Sequence, residues 1–445
     1  MENYKNDKIV IVGLGITGLS CIQYLYKTYK ILPKITDSKI PPQKIQKLTK
    51  HLQCHFNKIN ETWLLEATLI IISPGVSLLH PAIKKAKNAG IRIIGDIELF
   101  AQEIQKNKYN KIPIIAITGT NGKTTVTTML KKITKKAGIQ AGIGGNIGYP
   151  VLQLLNKKYQ LYILELSSFQ LETTYTLTPK IAIILNITEN HMNRYPQGIK
   201  KYQLAKLKIY QHAKICINNS EDPLTIPKHK KKNIKYINFG THTGHYHLYQ
   251  YKKKTWIIAK NKTLFNTNHL KISGKHNYLN ILAALALSDA IKIPRKYSIY
   301  VLKNFVGLTH RCELVHKHNN ILWINDSKST NIQSTKNAIY EYKNNKGILH
   351  VLLGGEGKSM NFLSLKPYIQ GKQIQLYCFG KNGKELYQLR PKISTLTQTL
   401  EESILIIKQK IKKNDIVLLS PACSSLDQFK NFQERGKIFT KLAKT

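Results

Sequence analysis

Two apolar stretches that run straight into glycine turns, KIVIVGLGITG at residues 8–18 and IPIIAITGTNGKTT at residues 112–125, constrain the fold of this chain more than any other feature. Each reads as a strand, a tight turn and the start of a helix. That unit builds parallel sheets whose carboxyl edges hold nucleotides. Further strand-like runs (ATLIIIS, IRIIGD, LYILELSS, IAIILNIT, KICINNS, LHVLLGG, QLYCFG and DIVLLS) alternate with amphipathic or loop segments. The alternation predicts an α/β fold with parallel sheets. A polar stretch, QEIQKNKYNK at 102–111, and the segment GLTHR, near 307–310, read as boundaries. Three domains are predicted, at 1–105, 106–308 and 309–445.

The two turns ask for different ligands. After Gly13, Gly15 and Gly18, Asp37 stands about where an acid grips an adenosine ribose in a dinucleotide fold, so a nicotinamide dehydrogenase is one reading. In the second turn, Gly119, Thr120, Asn121 and Gly122 precede Lys123, Thr124 and Thr125. Backbone N–H groups and a helix N-terminus there suit phosphates, with Lys123 over the outer phosphates and Thr124 on Mg²⁺. Ile117 stands where the general P-loop pattern has its first glycine. Glu165 ends the run YILE on a following strand, where a buried carboxylate is costly unless it meets a cation. The run IAIILNITENH then delivers Glu189, Asn190 and His191 into a polar loop.

Composition narrows the partners. The formal charge is +45, but it comes from 63 lysines and only six arginines, spread along the chain. Phosphate-clamping surfaces favour the arginine fork, so the excess reads as a coding bias written on the solvated surface, and no specific nucleic acid is expected. The runs KHKKKNIK, 228–235, and YKKKT, 251–255, read as exposed turns. Six cysteines lie far apart with no CxxC pair, a spacing that argues against a zinc site and against a disulfide framework. No apolar run approaches the length of a membrane helix, and the start MENYKNDKIVIVGLG is a poor signal peptide, so a cytoplasmic location is expected.

Many ordered segments together resemble the Mur ligase family, the enzymes that build the peptidoglycan peptide stem. They include GLGITGLSC, ISPGVS, GDIELF, TGTNGKTT, GGNIG, LELSSFQLE, NHMNRYP, YQLAKLKIY, SGKHNYLNILAALAL, GLTHRCE, INDSKSTN, LLGGEGKS and LSPACSSLDQFKNFQERG. The resemblance runs from residue 8 to the end, and it is closest to the branch that adds D-glutamate to UDP-N-acetylmuramoyl-L-alanine. It implies an N-terminal Rossmann-like domain, a central P-loop ATPase domain and a C-terminal Rossmann-like domain, in a monomer that uses ATP and Mg²⁺.

Carried over position by position, the resemblance turns the first glycine site toward a uridine diphosphate. Gly15, Ile16 and Thr17 would meet the phosphates, Asp37, Ser38 and Lys39 the uridine, and Ser73, Asn146 and Gln170 the rest of the muramoyl substrate. Asn277, Asn280, Arg311 and Asp326 would join the P-loop around ATP. Thr124, Glu165, His191 and Lys206 would hold metal ions, Lys206 as a carbamate. Lys123, His191, Lys206 and Arg311 would carry catalysis, while Lys328, Thr330, Lys358, Ser425 and Phe432 would hold D-glutamate. The family loop commonly reads EDHMDRY, whereas here it is ENHMNRY, with Asn190 and Asn193 in place of two acids. A dehydrogenase would leave TGTNGKTT and the third domain without a role. A sister ligase, or a basic ATPase stimulated by nucleic acid, remains as an alternative.

Overall fold

The computed structural model describes residues 4–41, 45, 49–106, 112–227, 230–357, 360–371 and 373–445. Three sheets follow one another along the chain. In the first, five parallel strands stand in the order Cys54–His55, Lys34–Thr36, Ile9–Val12, Leu69–Ile72, Arg92–Ile94. The chain winds outward from Ile9–Val12 in both directions, so the glycine turn after that strand opens at the switch point of a doubly wound sheet. All four residues of IVIV are buried, as expected for a strand covered on both faces.

The second sheet has nine strands. Its parallel part runs Ala141–Gly145, Leu161–Glu165, Ile114–Thr118, Ile181–Ile184, Ile215–Asn219, Lys235–Phe239, and an antiparallel meander of Tyr246–Tyr251, Lys254–Ala259 and Lys262–Asn266 extends the edge. The strand leading into the second glycine turn lies at the centre, between Leu161–Glu165 and Ile181–Ile184. Their carboxyl ends therefore share one edge with the turn. Of the lysine runs, Lys252 and Lys253 form the tip of the meander's first hairpin with positive φ, an exposed turn as expected; residues 228–229 of the other run lie outside the described residues.

The third sheet holds Glu313–His318, Ile321–Asn325, Ile416–Ala422, Leu349–Gly354, Ile374–Phe379 and Ser394–Leu396, parallel except for the first, an edge strand. The ten apolar runs read from the sequence are all strands. The chain divides into two compact units, and the second runs from Phe305 to Thr445 together with Thr188–Asn193 and Lys271–Asn277. The first unit contains both preceding sheets. They are tied by Glu98, fully buried on the helix Asp96–Lys106, which accepts the backbone N–H groups of Tyr175 at 2.6 Å and Thr176 at 2.8 Å. The polar stretch read as a boundary begins inside this helix, whose last turn is formed by its residues 102–106, and its residues 107–111 lie outside the described residues.

Candidate active site

The P-loop begins where the strand Ile114–Thr118 ends. Gly119 and Gly122 both take positive φ, at 155° and 83°, and Gly122 caps the helix Lys123–Lys136 with no side chain in the way. Any Cβ at Gly122 would run into the side-chain oxygen of Asn280, so a glycine is required for that approach. Lys123 folds back on the loop, its Nζ donating to the carbonyls of Gly119 at 2.7 Å and Thr120 at 2.9 Å. The helix presents uncapped N–H groups, the arrangement that binds anions.

Beside the loop stands Glu165, fully buried at the end of its strand. Its Oε1 accepts from Asn146 Nδ2 at 2.8 Å and lies 3.4 Å from the Thr124 hydroxyl, while Oε2 accepts no hydrogen bond. A dry carboxylate oxygen without a donor is a position for a cation. Lys206 is 1% exposed, with Nζ donating to Gly119 O at 3.0 Å and Thr118 Oγ1 at 3.3 Å above the ring of Tyr202. Burial, and then the Lys123 ammonium, pull its pKa well below the usual lysine range, with Glu165 opposing them. Of one lysine among 63, the structure makes a rare one.

At the first glycine turn, the helix Ile16–Tyr29 likewise starts on a glycine, Gly15, with no side-chain cap. Gly15 and Ile16 are exposed and Thr17 is half-buried. A Cβ at Gly18 would strike the Gly13 carbonyl, and Ser73 Oγ donates to that same carbonyl at 2.8 Å. Asp37 holds the turn through both oxygens, accepting from Leu14 N at 2.7 Å and Lys39 N at 3.0 Å, while Ser38 and Lys39 are exposed. Gln170 is buried as the reciprocal partner of Ser167 in a capping box. Asn146, read as a muramoyl-cleft residue, stands against Glu165.

The second unit contains a cavity of about 640 Å³. Lys328, Thr330, Ser425 and Phe432 all line it, with Asn190, His191 and Asn193. Lys358 lies outside the described residues. Lys328 Nζ sits 3.8 Å from the centre of the Phe432 ring, and Lys336 adds a second cation to the wall. His191 is exposed at φ 57°, its N–H donating to Asn190 Oδ1 at 3.0 Å. In the same unit Asp326, 5% exposed, accepts from Cys312 N at 3.2 Å, Ser420 Oγ at 2.9 Å and the Ser329 hydroxyl. Burial pushes its carboxyl up to about 6, against those donors and nearby Arg311. Asn277 Nδ2 donates to Ser273 O at 2.7 Å.

One residue escaped sequence reasoning. Asn186 grips the P-loop at three points: its carbonyl takes Thr120 N at 2.8 Å, its Oδ1 takes Asn121 N at 2.9 Å, and its Nδ2 donates to Asn121 O at 3.1 Å. The signal was an asparagine immediately after the apolar run IAIIL, at the edge where the neighbouring strand ends.

Residues 7–95 match the family described as Mur ligase MurD-like, N-terminal domain, and residues 117–288 match Mur ligase middle domain. The chain is similar to the UDP-N-acetylmuramoylalanine–D-glutamate ligase of Baumannia cicadellinicola subsp. Homalodisca coagulata, 51% identical over 99% of this chain and 98% of that one. It is 49% identical to the like-named ligase of Sodalis glossinidius over 100% and 99%. Among solved structures, the MurF ligase of Thermotoga maritima in complex with ADP aligns with a TM-score of 0.65 at 17% identity, over 100% of this chain and 99% of that one. A pseudomurein peptide ligase type C from Methanothermus fervidus gives 0.64 at 17%, over 98% and 100%. At such identities these two structures speak to the fold alone.

Proposed function

The chain belongs to the Mur ligase family, and we propose that it uses ATP to join D-glutamate to the L-alanyl carboxylate of UDP-N-acetylmuramoyl-L-alanine, in peptidoglycan precursor synthesis. The observation that carries this reading is identity near one half, end to end, with ligases named for that reaction. The domains at 1–105, 106–308 and 309–445 would then hold the UDP-substrate, ATP and D-glutamate. The location is the cytoplasm and the working form a monomer; among the described residues no helix is long and apolar enough to cross a membrane.

A carboxylate does not condense with an amine in water without activation. The substrate carboxylate attacks the terminal phosphorus of ATP, the bond to ADP breaks, and an acyl phosphate forms. The D-glutamate ammonium gives up one proton, the free amine attacks the acyl carbon, and the tetrahedral adduct loses a second proton from nitrogen and expels phosphate as the amide closes. Lys123 and the N–H groups at the start of Lys123–Lys136 would hold phosphate charge, on a loop that Asn186 and Gly122 support. Lys206, biased by burial toward its neutral amine, is in the form that adds to CO₂ to give a carbamate.

The residues present suit Mg²⁺. The unpartnered Glu165 Oε2 and the Thr124 hydroxyl offer hard oxygen donors of the kind that ion takes. When bound, Mg²⁺ supplies positive charge to the phosphate oxygens during transfer. The cavity beside Lys328 and Lys336 suits a dicarboxylate, which needs cations and donors at both ends.

A heavy-oxygen label in the L-alanyl carboxylate tests the chemistry. Transfer of one labelled atom per turnover to the released phosphate is expected; phosphate free of label would exclude the acyl phosphate.

A further inference from the structure

Three potential ligand groups of different chemistry converge in the second unit, outside every role assigned above. His276 lies on the first turn of the helix Lys275–Ala290, Cys312 just before the strand Glu313–His318, and Glu341 near the end of the helix Ile332–Tyr342. One ligand atom from each lies within 4.8 Å of the other two. His276 Nδ1 and Glu341 Oε2 are 3.5 Å apart, too long for a good hydrogen bond, and that buried Oε2 accepts no hydrogen bond. Gly274, at φ 94°, has no Cβ because one would come within 2.6 Å of the Glu341 carboxylate. Ser273 Oγ donates to the other oxygen, Oε1, at 3.2 Å and so turns Oε2 toward His276.

We propose that His276, Cys312 and Glu341 bind a thiophilic divalent cation of the zinc class. One nitrogen, one sulfur and one carboxylate oxygen form a set that zinc accepts and magnesium does not. Tetrahedral zinc holds its ligand atoms about 3.3–3.8 Å apart, so side-chain shifts of about 1 Å would close the set. Burial keeps the imidazole neutral, its pKa pulled down to about 4, which leaves a lone pair for metal. Binding would displace the thiol proton of Cys312 and cancel charge on a carboxylate that burial otherwise disfavours. It would also pin the segment Lys271–Asn277 to the sheet of its own unit. The spacing of the cysteines could not show such a site, because its three ligands come from three elements far apart in the chain.

Cobalt(II) is the probe, added to full-length protein stripped with a chelator and returned to Mg²⁺. One equivalent is expected to raise a thiolate-to-cobalt absorption in the near ultraviolet, bleached by one equivalent of zinc and missing in Cys312→Ser. His276→Gln, which keeps all six cysteines, is expected to weaken cobalt affinity at least about tenfold, with circular dichroism reporting the fold of both variants. No thiolate band in the unaltered protein, a band retained in Cys312→Ser, or unchanged affinity in a folded His276→Gln would each overturn the proposal.

Discussion

Placing an amine beside another cation in a dry pocket destabilises a fold unless the group gives up its proton, and Lys206 beside Lys123 is in that position. Its folded pKa is lowered, so between that lowered value and the ordinary 10.5 the unfolded chain holds more protons than the native one. Stability then rises with pH through that window. Lys206→Met should therefore stabilise the protein without ligands by about 0.5–2 kcal/mol at neutral pH. The gain should fade as pH approaches 10.5, while ligase activity is lost at every pH; denaturant melts and turnover across pH check both. Asn190 bears on the opposite charge. Its side-chain oxygen accepts the His191 N–H, a bond an aspartate would make equally well while adding an anion to the cavity wall. Asn190→Asp should lower the Mg²⁺ concentration needed for half-maximal rate several-fold, and an unchanged Mg²⁺ curve would count against a metal role for this loop.

Among the elements, both glycine turns were legible because their signals are local: an apolar strand, glycines where φ must be positive, and a helix whose first turn carries no cap. The grip of Asn186 on the P-loop was not, because it depends on Ile181–Ile184 lying beside Ile114–Thr118, and nothing in either segment specifies that pairing. Asn186→Ala removes both side-chain bonds to the Asn121 backbone, and should raise the KM for ATP several-fold while the UDP-substrate KM holds steady. Tyr246–Tyr251 and its neighbours escaped for another reason, since lysines and tyrosines on an exposed edge blur the period-two pattern. The helix Asp96–Lys106 opens on a carboxylate 4% exposed, with one oxygen unpartnered and its pKa pushed up to about 6 by burial. A raised carboxylate keeps its proton in the fold longer than in the open chain, so its charge costs stability only as pH climbs through about 4 to 6 and beyond. Asp96→Asn should gain up to roughly 3 kcal/mol at pH 8 and nothing at pH 3, as thermal melts at the two values would show.

Across the whole molecule, the charge of +45 pointed toward nucleic acid and the composition of that charge pointed away. Three ordered sheets and two glycine turns were readable from the pattern, whereas the division into two units was not, because the excursions Thr188–Asn193 and Lys271–Asn277 carry no mark of their own. The expected D-glutamate residues that can be described come together around one cavity in the second unit; of those expected for metal and phosphate, Lys123, Thr124, Glu165 and Lys206 stand at the P-loop in the first, whereas His191 lies on the wall of the second unit's cavity and Arg311 also belongs to the second unit. The most direct test of the ligase reading is phosphate release from ATP and Mg²⁺ with UDP-N-acetylmuramoyl-L-alanine, with D-glutamate present or replaced by L-glutamate or D-alanine. Release that requires both the uridine substrate and D-glutamate is the predicted result. Release indifferent to the amino acid, or silence from folded protein at every Mg²⁺ concentration and also from Asn190→Asp with Asn193→Asp, would contradict it.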